Sequence, residues 1–226
     1  MAAEPPAEAS LVFGDALGTA CRYAELLATD GVTRGLIGPR ETERLWERHL
    51  LNCAVVAELV PEHGSLVDIG SGAGLPGVVL AMLRPSLEVT LLEPLLRRSV
   101  FLEECVAELG LANATVLRAR AEEKAAARIR ADVATARAVA PLGRLAGWAA
   151  PLLRPGGQLL AIKGQSAADE LAAAGPVLSR LGARSAEVVE AGHGRVVSAT
   201  TVIRVVMEAH GREERASAQR SRRGVA

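Results

Sequence analysis

The sequence predicts an α/β fold in which a mostly parallel, seven-stranded sheet carries helices on both faces and follows a helical extension. Three observations predict it. Residues 63–210 alternate short apolar runs with longer helical patterns, as parallel sheets with crossover helices do. The first run, residues 66–69, is almost continuously apolar, as expected of a strand buried on both faces. A glycine-rich turn over residues 70–77 follows that run directly.

The remaining elements follow from the same periodicities. Residues 1–62 carry helical apolar spacing, which predicts one helix over residues 9–28 and a second over residues 38–60. The last two apolar runs are predicted to form an antiparallel pair, and Gly156 and Gly157 a turn between a helix and a strand. Strands are predicted over residues 66–69, 88–92, 115–118, 132–136, 158–162, 185–190 and 200–206, and helices over residues 76–83, 95–109, 142–153 and 167–181.

Length and composition favour one domain with a small appendage. The 226 residues divide into a helical extension (1–62), an α/β domain (63–210) and an arginine-rich tail (211–226) that we expect to be disordered. Basic and acidic residues balance at 26 each, so any surface that binds a polyanion must come from local clustering of charge.

Three features predict a cytoplasmic protein. Cys21, Cys53 and Cys105 are widely spaced and form no C-x-x-C pair, which favours reduced thiols over disulfides or a zinc site. Residues 2–10 contain two acids and two prolines, which does not suit a signal peptide. No apolar run is long enough to span a bilayer, so we expect no membrane partner. We also expect a monomer.

The glycine-rich turn indicates a nucleotide cofactor. Gly70, Gly72 and Gly74 let the backbone turn sharply and approach a ligand without a Cβ in the way. Pro76 suits the first turn of the helix that follows. Glu93 comes about 20 residues after the glycines, where a carboxylate can accept hydrogen bonds from both ribose hydroxyls.

Two registers of the turn compete for the identity of the cofactor. Residues 72–77 satisfy G-x-G-x-x-G, the dinucleotide fingerprint of NAD oxidoreductases, but they begin three residues past the strand end where that motif should open. Residues 68–74 have the form D-x-G-x-G-x-G and begin at the strand end. This form resembles the first motif of S-adenosylmethionine-dependent methyltransferases. Its placement, with the terminal antiparallel pair, favours a Rossmann-like class I methyltransferase over an NAD oxidoreductase.

Residues that follow the strands are candidates for the site, because open α/β sheets bind ligands beyond the carboxyl ends of their strands. Acidic side chains follow the first two strands and basic side chains follow the later ones. This order suits an adenosine at one end and an anionic substrate at the other. The residues are Asp68, Glu93, the segment 118–122, Arg137 and Lys163.

The residue after the fourth strand bears on the methyl acceptor. Methyltransferases that act on the exocyclic amine of adenine usually carry a D/N-P-P-aromatic motif there, and this chain has Arg137 instead. Enzymes that act on C5 of a pyrimidine need a nucleophilic cysteine, and none of the three cysteines is close in sequence to a strand end. A ring nitrogen such as guanine N7 already carries a lone pair, so positioning and electrostatics should suffice for its methylation.

Taken in order, the motifs resemble those of the small-subunit rRNA guanine-N7 methyltransferase family, also called methyltransferase G or glucose-inhibited division protein B. The resemblance covers about residues 40–206, with Asn52-Cys53 standing where the family often has Asp-Ser. It rests on Trp46-Glu47-Arg48-His49-Leu50-Leu51, residues 68–77 with their Leu-Pro-Gly ending, Arg97-Arg98-x-x-Phe101-Leu102, Arg120-Ala121-Glu122-Glu123, Arg137-Ala138 and Lys163-Gly164-Gln165.

The resemblance implies direct transfer of a methyl group from S-adenosyl-L-methionine to N7 of one guanine in 16S rRNA, with the rRNA or the 30S ribosomal subunit as partner. The base would be unstacked and held in a pocket. Arg137 and Lys163 are the predicted catalytic residues, and Arg137 would hold O6, a phosphate or the carboxylate of the donor. The predicted cofactor-binding residues are Asp68, Gly70, Gly72, Gly74, Leu75, Glu93, Ala121, Glu122 and Arg137, and the predicted RNA-binding residues are Arg97, Arg120, Lys163 and Arg195.

Two other functions stay open from the residues alone. A methyltransferase for a small molecule or a protein would suit the zero net charge and the scarcity of aromatic side chains for base stacking. A non-catalytic RNA-binding module would keep the fold without binding a methyl donor.

His49 lies on an apolar helical face and is predicted to have a packing role.

Overall fold

The structure, a computed structural model, describes residues 4–208. The predicted basic tail, residues 211–226, lies outside the described residues. The strands are β1 Gly64–Ile69, β2 Leu87–Leu92, β3 Ala114–Leu117, β4 Ala131–Arg137, β5 Leu153–Ile162, β6 Ala183–Ala191 and β7 Thr200–Met207. The α-helices are α1 Ala7–Phe13, α2 Leu17–Leu26, α3 Asn52–Ala54, α4 Gly77–Leu83, α5 Leu96–Glu108, α6 Leu142–Ala149 and α7 Ala167–Leu181.

The strands form one sheet in the order β3-β2-β1-β4-β5-β7-β6. Neighbours from β3 to β5 are parallel, whereas β7 runs antiparallel to both β5 and β6. The predicted α/β fold, its seven strands and its terminal antiparallel pair are therefore confirmed. The strand order reverses between β1 and β4, and the carboxyl ends of these strands border the crevice in which open α/β sheets bind ligands.

The N-terminal region is helical, but it is not the pair of regular α-helices that the sequence predicts. The helix predicted over residues 9–28 is interrupted by a 3-10 turn at Gly14–Ala16, where Gly14 adopts a φ of +50°. Residues 39–59 stay helical but change between 3-10, π and α spacing. Apolar periodicity identifies the buried face of such a segment, but it does not separate these helix types over one or two turns.

β5 begins earlier than predicted, because a β-bulge accommodates two glycines. Gly156 and Gly157 lie inside the strand, where its register against β4 shifts. Gly156 has a φ of +80°, and a Cβ on Gly157 would lie 3.0 Å from the carbonyl oxygen of Asp132. The turn predicted at these residues is therefore wrong, since the glycines permit a bulge rather than a reversal of the chain.

Alternate residues of the strands face two different apolar layers. Leu66 and Val133 face a layer that the N-terminal helical segments form with α4 and α5. Val67 and Ala134 face a layer that contains α6 and α7. This is the two-residue period of a strand buried on both faces. The N-terminal residues therefore share a hydrophobic core with the sheet.

Tyr23, the only tyrosine of the chain, connects this N-terminal layer to the glycine-rich turn. Its ring is fully buried, and its hydroxyl donates a hydrogen bond of 2.6 Å to the carbonyl oxygen of Ala73. A Cβ on Gly74 would lie 2.6 Å from the same hydroxyl. Helix α2 therefore supports the turn from below, and the turn has no room for a side chain at that point.

We expect Tyr23→Phe to lower the free energy of unfolding by about 1–3 kcal/mol, because the buried Ala73 carbonyl loses its donor while the packing of the ring is kept. Urea denaturation measures this change. Thr29→Val is the control, since it removes a hydroxyl–carbonyl bond at an exposed site and should cost less than about 0.5 kcal/mol. Equal effects of the two substitutions would contradict a supporting role for Tyr23.

Candidate active site

A cavity of about 560 Å³, the donor cavity, lies at the carboxyl ends of β1 to β4. The glycine-rich turn forms its floor, and the residues after β2, β3 and β4 form its sides. The N-terminal region closes it from above. Its walls consist of Leu36, Ile37, His49, Gly70, Ser71, Gly72, Ala73, Leu75, Glu93, Pro94, Leu95, Arg98, Arg120, Arg137, Ala138 and Val139.

The floor of the donor cavity depends on glycine at two positions. Gly70 and Gly72 adopt φ values of +68° and +59°, which side chains rarely tolerate. A Cβ on Gly70 would also lie 3.0 Å from the side chain of Val139 across the cavity. The amide groups of Gly70 and Ser71 both donate to the Leu92 carbonyl, at 2.8 and 3.2 Å, so the turn is tied to the end of β2.

Asp68 lies beneath the turn and is not part of the cavity wall. One carboxylate oxygen accepts the amide of Gly77, at the start of α4, and the other accepts the hydroxyl of Thr135 on β4, both at 3.0 Å. The side chain is buried, and burial raises its pKa to about 6, against the opposing effect of these hydrogen bonds and of Arg137. Asp68 therefore fixes the two ends of the turn, and in this structure it supports the cavity from behind.

Glu93 lies on the wall of the donor cavity, as its position after β2 predicts. Its carboxylate accepts the amide of Gly72 at 3.0 Å and the amide of Leu95 at 2.9 Å. A carboxyl group has more acceptor sites than these two amides occupy, so acceptor capacity remains for a ligand. The backbone thus holds Glu93 where it can accept hydrogen bonds from two neighbouring hydroxyls.

Arg98 also lies on the wall of the donor cavity. Its Nε is buried, and within residues 4–208 no hydrogen-bond partner is found for it. Glu93 and Arg98 together offer acceptors and donors at this wall, which fits an adenosine with its ribose hydroxyls as donors and its ring nitrogens as acceptors.

Ala138 and Arg137 separate the donor cavity from a second cavity of about 530 Å³, the acceptor cavity. Both residues line both cavities, and Ala138 turns the chain there with a φ of +55°. The acceptor cavity lies over the ends of β4 and β5 and is rich in charged side chains. Its walls consist of Arg44, Glu47, Arg48, Asn52, Arg137, Ala138, Ile162, Lys163, Gly164, Glu170, Ser198 and Ala199.

The structure brings one cysteine close to Arg137, which sequence proximity did not predict. The Sγ of Cys53 lies 3.4 Å from Nη1 of Arg137, although 84 residues separate them in the chain. Cys53 is fully buried and lines neither cavity. Burial raises the pKa of its thiol to about 11, although Arg137 opposes the shift. The thiol therefore stays protonated at neutral pH and is not available as a nucleophile.

Lys163 lies on the wall of the acceptor cavity, but its charge is already paired. Its Nζ donates to Glu170 at 2.6 Å and to the carbonyl of Ala140 at 3.0 Å, and only 9% of its side chain is exposed. Glu170 also accepts the amide of Leu142 at 3.1 Å. The pKa of Glu170 is lowered, chiefly by its hydrogen bond with Lys163. This ion pair ties the loop after β4 to helix α7.

The other predicted site residues occupy different positions around these cavities. Arg120 lines the donor cavity at its exposed edge. Arg97 is exposed at the start of α5 and is not among the wall residues of either cavity. Arg195 is exposed and lies near α1, where its guanidinium donates to the Leu11 carbonyl at 3.4 Å. Gly74, Ala121 and Glu122 are not among the wall residues of either cavity.

Comparison with known proteins identifies the family. A family model described as rRNA small subunit methyltransferase G matches residues 17–197. The chain belongs to this family. The resemblance drawn from the motifs is therefore confirmed, and the match extends into the N-terminal helical region. Within residues 4–208, no helix has the length and apolar character needed to cross a bilayer, and no group of three metal-ligating side chains is found.

Relatives in the methyltransferase G family resemble this chain over most of its length. Proteins named ribosomal RNA small subunit methyltransferase G from Thermobifida fusca and Streptomyces coelicolor are 61% and 58% identical to it, over 203 and 200 residues. The alignments cover 90% and 88% of this chain and 85% and 84% of the two relatives. The chain and these relatives therefore correspond over nearly all of both sequences.

Solved structures show the fold that this family member shares. A SAM-dependent methyltransferase from Aquifex aeolicus superposes with a TM-score of 0.54 at 18% identity, covering 76% of this chain and 99% of that one. A SAM-dependent O-methyltransferase from Thermotoga maritima gives 0.55 at 17% identity, with coverages of 72% and 67%. The predicted Rossmann-like class I methyltransferase fold is confirmed by these similarities.

Sequence reasoning missed several side chains that build the site of this methyltransferase. Thr135 pairs in register with Asp68 across β1 and β4, so only the strand pairing reveals their contact. Arg98 follows Arg97 directly, and helical phase alone decides which of the two faces the cavity. Tyr23 carried one signal, since it is the only tyrosine in the chain.

We expect Asp68→Asn to change the pH dependence of stability. The folded pKa of Asp68 is raised to about 6, so the wild-type protein loses stability as the pH rises from about 4 through about 6, where the buried carboxyl ionises. The variant does not titrate there. Relative to Asp68→Asn, the wild type should lose roughly 2 kcal/mol between pH 4 and pH 7.5.

Urea denaturation of both proteins across this pH range measures the difference. A constant difference in the free energy of unfolding between pH 4 and pH 7.5 would show that the Asp68 carboxylate is not penalised by burial.

Proposed function

We propose that this protein transfers a methyl group from S-adenosyl-L-methionine to N7 of a guanine in 16S rRNA of the small ribosomal subunit. The observation that carries the proposal is the junction of the donor and acceptor cavities at Arg137 and Ala138. A donor in the first cavity and a base in the second would meet there. Because the acceptor is ribosomal, we place the enzyme in the cytoplasm. We propose that it acts as a monomer.

The donor cavity would hold S-adenosylmethionine through the backbone of the turn and two side chains. When bound, S-adenosylmethionine supplies an electrophilic methyl group on a sulfonium. Gly70 and Gly72 let the backbone approach the ligand, and Leu75 contributes an apolar surface beside them. Glu93 would accept hydrogen bonds from the ribose hydroxyls, and the guanidinium group of Arg98 would donate to the adenosine.

The chemistry of N7 methylation matches what the acceptor cavity contains. Guanine N7 offers a lone pair, so the protein needs to supply neither a general base nor a covalent intermediate. The protonated Cys53 thiol argues against C5 methylation of a pyrimidine, which needs a thiolate. The work of the protein is therefore to unstack the base, exclude water and hold N7 in line with the methyl group.

Charges around the acceptor cavity support an RNA substrate. Four basic side chains, Arg44, Arg48, Arg137 and Lys163, line it against two acidic ones, Glu47 and Glu170, so its walls carry a net positive charge although the whole chain is electrically neutral. Such a local cluster attracts phosphates where the base must enter. We propose that Arg97, Arg120 and Arg195 extend this surface as RNA contacts, with the three guanidinium groups exposed.

We propose that Lys163 holds the loop after β4 in place and does not contact RNA directly. Its ammonium group is held between Glu170 and the Ala140 carbonyl. That loop contains Ala138, which separates the two cavities. Lys163 thus positions the wall against which donor and base would meet.

We expect Glu93→Gln to weaken binding of S-adenosylmethionine about tenfold, because the amide replaces one acceptor with a donor that opposes the backbone amides of Gly72 and Leu95. Isothermal titration calorimetry measures the affinity. Glu88→Gln, an exposed change on β2, should leave it unaltered. Unchanged affinity in Glu93→Gln would contradict the assignment of the donor cavity.

We expect wild-type enzyme to transfer labelled methyl from S-adenosylmethionine to 30S subunits that lack this modification, and Arg137→Ala to lower the rate about 100-fold or more. Chemical cleavage of the RNA strand at N7-methylguanine identifies the atom. Arg204→Ala, which removes an ion pair with Glu187 between β6 and β7, is the matched control and should keep full activity.

Label on rRNA without a cleavable N7-methylguanine would contradict the target atom. Donor binding without label on 30S subunits would contradict the rRNA substrate and favour a small molecule or a protein as acceptor.

A further inference from the structure

A chain of polar side chains connects the N-terminal helical region to the junction of the two cavities. It consists of Glu41, His49 and Arg137, with Arg48 at its outer end. His49 lines the donor cavity, whereas Glu41 lines neither cavity. His49 makes a hydrogen bond at each ring nitrogen, and one of its partners lies at the proposed reaction centre. It therefore does more than the packing role that its apolar face predicts.

The hydrogen bonds determine which nitrogen of His49 carries the proton. Nη2 of Arg137 contacts Nδ1 of His49, and a guanidinium has donors only. Nδ1 must therefore accept, and the proton must lie on Nε2. Nε2 lies 3.0 Å from Oε2 of Glu41, a carboxylate that can accept that proton in a hydrogen bond. The ring is neutral in this arrangement, because a protonated imidazole would have no acceptor for Arg137.

Glu41 is itself held in place as an acceptor. Nη1 of Arg48 lies 3.1 and 3.2 Å from its two carboxylate oxygens. The pKa of Glu41 is lowered, first by its hydrogen bond with His49 and also by Arg48. Glu41 is therefore ionised at neutral pH and orients the imidazole through Nε2, as a carboxylate does for many functional histidines.

His49 is the contact that orients the second nitrogen of Arg137. Nη1 donates to the Arg48 carbonyl at 3.2 Å and approaches Sγ of Cys53 at 3.4 Å. Nη2 is held by Nδ1 of His49. Because both Nη1 and Nη2 are held, the plane of the guanidinium cannot rotate about the contacts of Nη1. Its remaining N–H groups are then available at the boundary of the two cavities.

Resting on the proposed function, we propose that neutral His49, oriented by Glu41, is a positioning residue that sets the guanidinium of Arg137 for methyl transfer. The charged groups that face His49 are Arg137 from β4 and Glu41 and Arg48 from the N-terminal region. Burial and Arg137 lower the pKa of His49, and Glu41 opposes them. The ring thus stays neutral at physiological pH and loses its acceptor only when the pH falls below that lowered pKa.

Two substitutions separate this role from packing. Asn places an acceptor oxygen close to the position of Nδ1, whereas Leu fills the volume without an acceptor. We expect His49→Leu to lower kcat for transfer to 30S subunits by up to about 100-fold, with donor affinity changed by less than about threefold. His49→Asn should stay within about fivefold of wild type and should lose the acidic limb of the wild-type pH profile, because it cannot be protonated there.

His193→Ala is the matched control, since it removes another histidine–glutamate pair, 2.7 Å from Glu190, at an exposed site away from both cavities. It should leave kcat unchanged. Equal losses in His49→Leu and His49→Asn, or full activity in His49→Leu, would overturn the proposal, as would an acidic limb that persists in His49→Asn.

An NMR titration tests the contact without any methyl acceptor. The four histidines of the chain give few imidazole signals. His49 should carry its proton on Nε2 at pH 7, and Arg137→Ala should raise its pKa, since the guanidinium lowers it in the wild type. A proton on Nδ1, or a pKa that Arg137→Ala does not move, would overturn the proposal even if rRNA were not the substrate. Absence of rRNA methylation by wild type would instead contradict the proposed function alone.

Discussion

The donor cavity depends on the path of the backbone between Ile69 and Gly77, and the buried carboxylate of Asp68 holds that path. It joins the end of β1 to the first amide of α4 and to Thr135 on β4. The turn above it then needs glycine at φ values that other residues rarely adopt. A charge-bearing group is buried here at a cost, which its hydrogen bonds reduce but do not remove. Asp68 thus makes the floor of the donor cavity rigid and does not itself contact a ligand.

The N-terminal region contributes to the walls of both cavities alongside the sheet. Its helices share one apolar layer with the sheet, α4 and α5. From that layer, Tyr23 reaches the floor of the donor cavity and His49 reaches the junction of the two cavities. An enzyme that must grip both a donor and a large acceptor benefits from walls that come from separate parts of one packed core. The helical extension is therefore part of the site and not a separate appendage.

The two basic groups at the ends of β4 and β5 serve different purposes. Lys163 is neutralised by Glu170 and bridges a loop to a helix, as a compact ammonium with three donors can. Arg137 is held by a carbonyl, a thiol and a neutral imidazole, none of which cancels its charge. Its planar fork keeps further N–H groups for ligands on either side. The positive charge of the junction is therefore that of Arg137.

The sequence by itself determined the order of strands and helices, the glycine turn, the acid after β2 and the family, because these are local signals of periodicity, backbone freedom and spacing. Only the tertiary structure decided which charges meet. It paired Lys163 with Glu170, turned Arg98 rather than Arg97 into the donor cavity, and brought His49 and Cys53 to Arg137 across more than 80 residues. It also placed Gly156 and Gly157 in a β-bulge of β5 and not in a turn. Such contacts depend on strand register and on the rotation of each helix about its axis. Neither can be predicted from a short stretch of sequence.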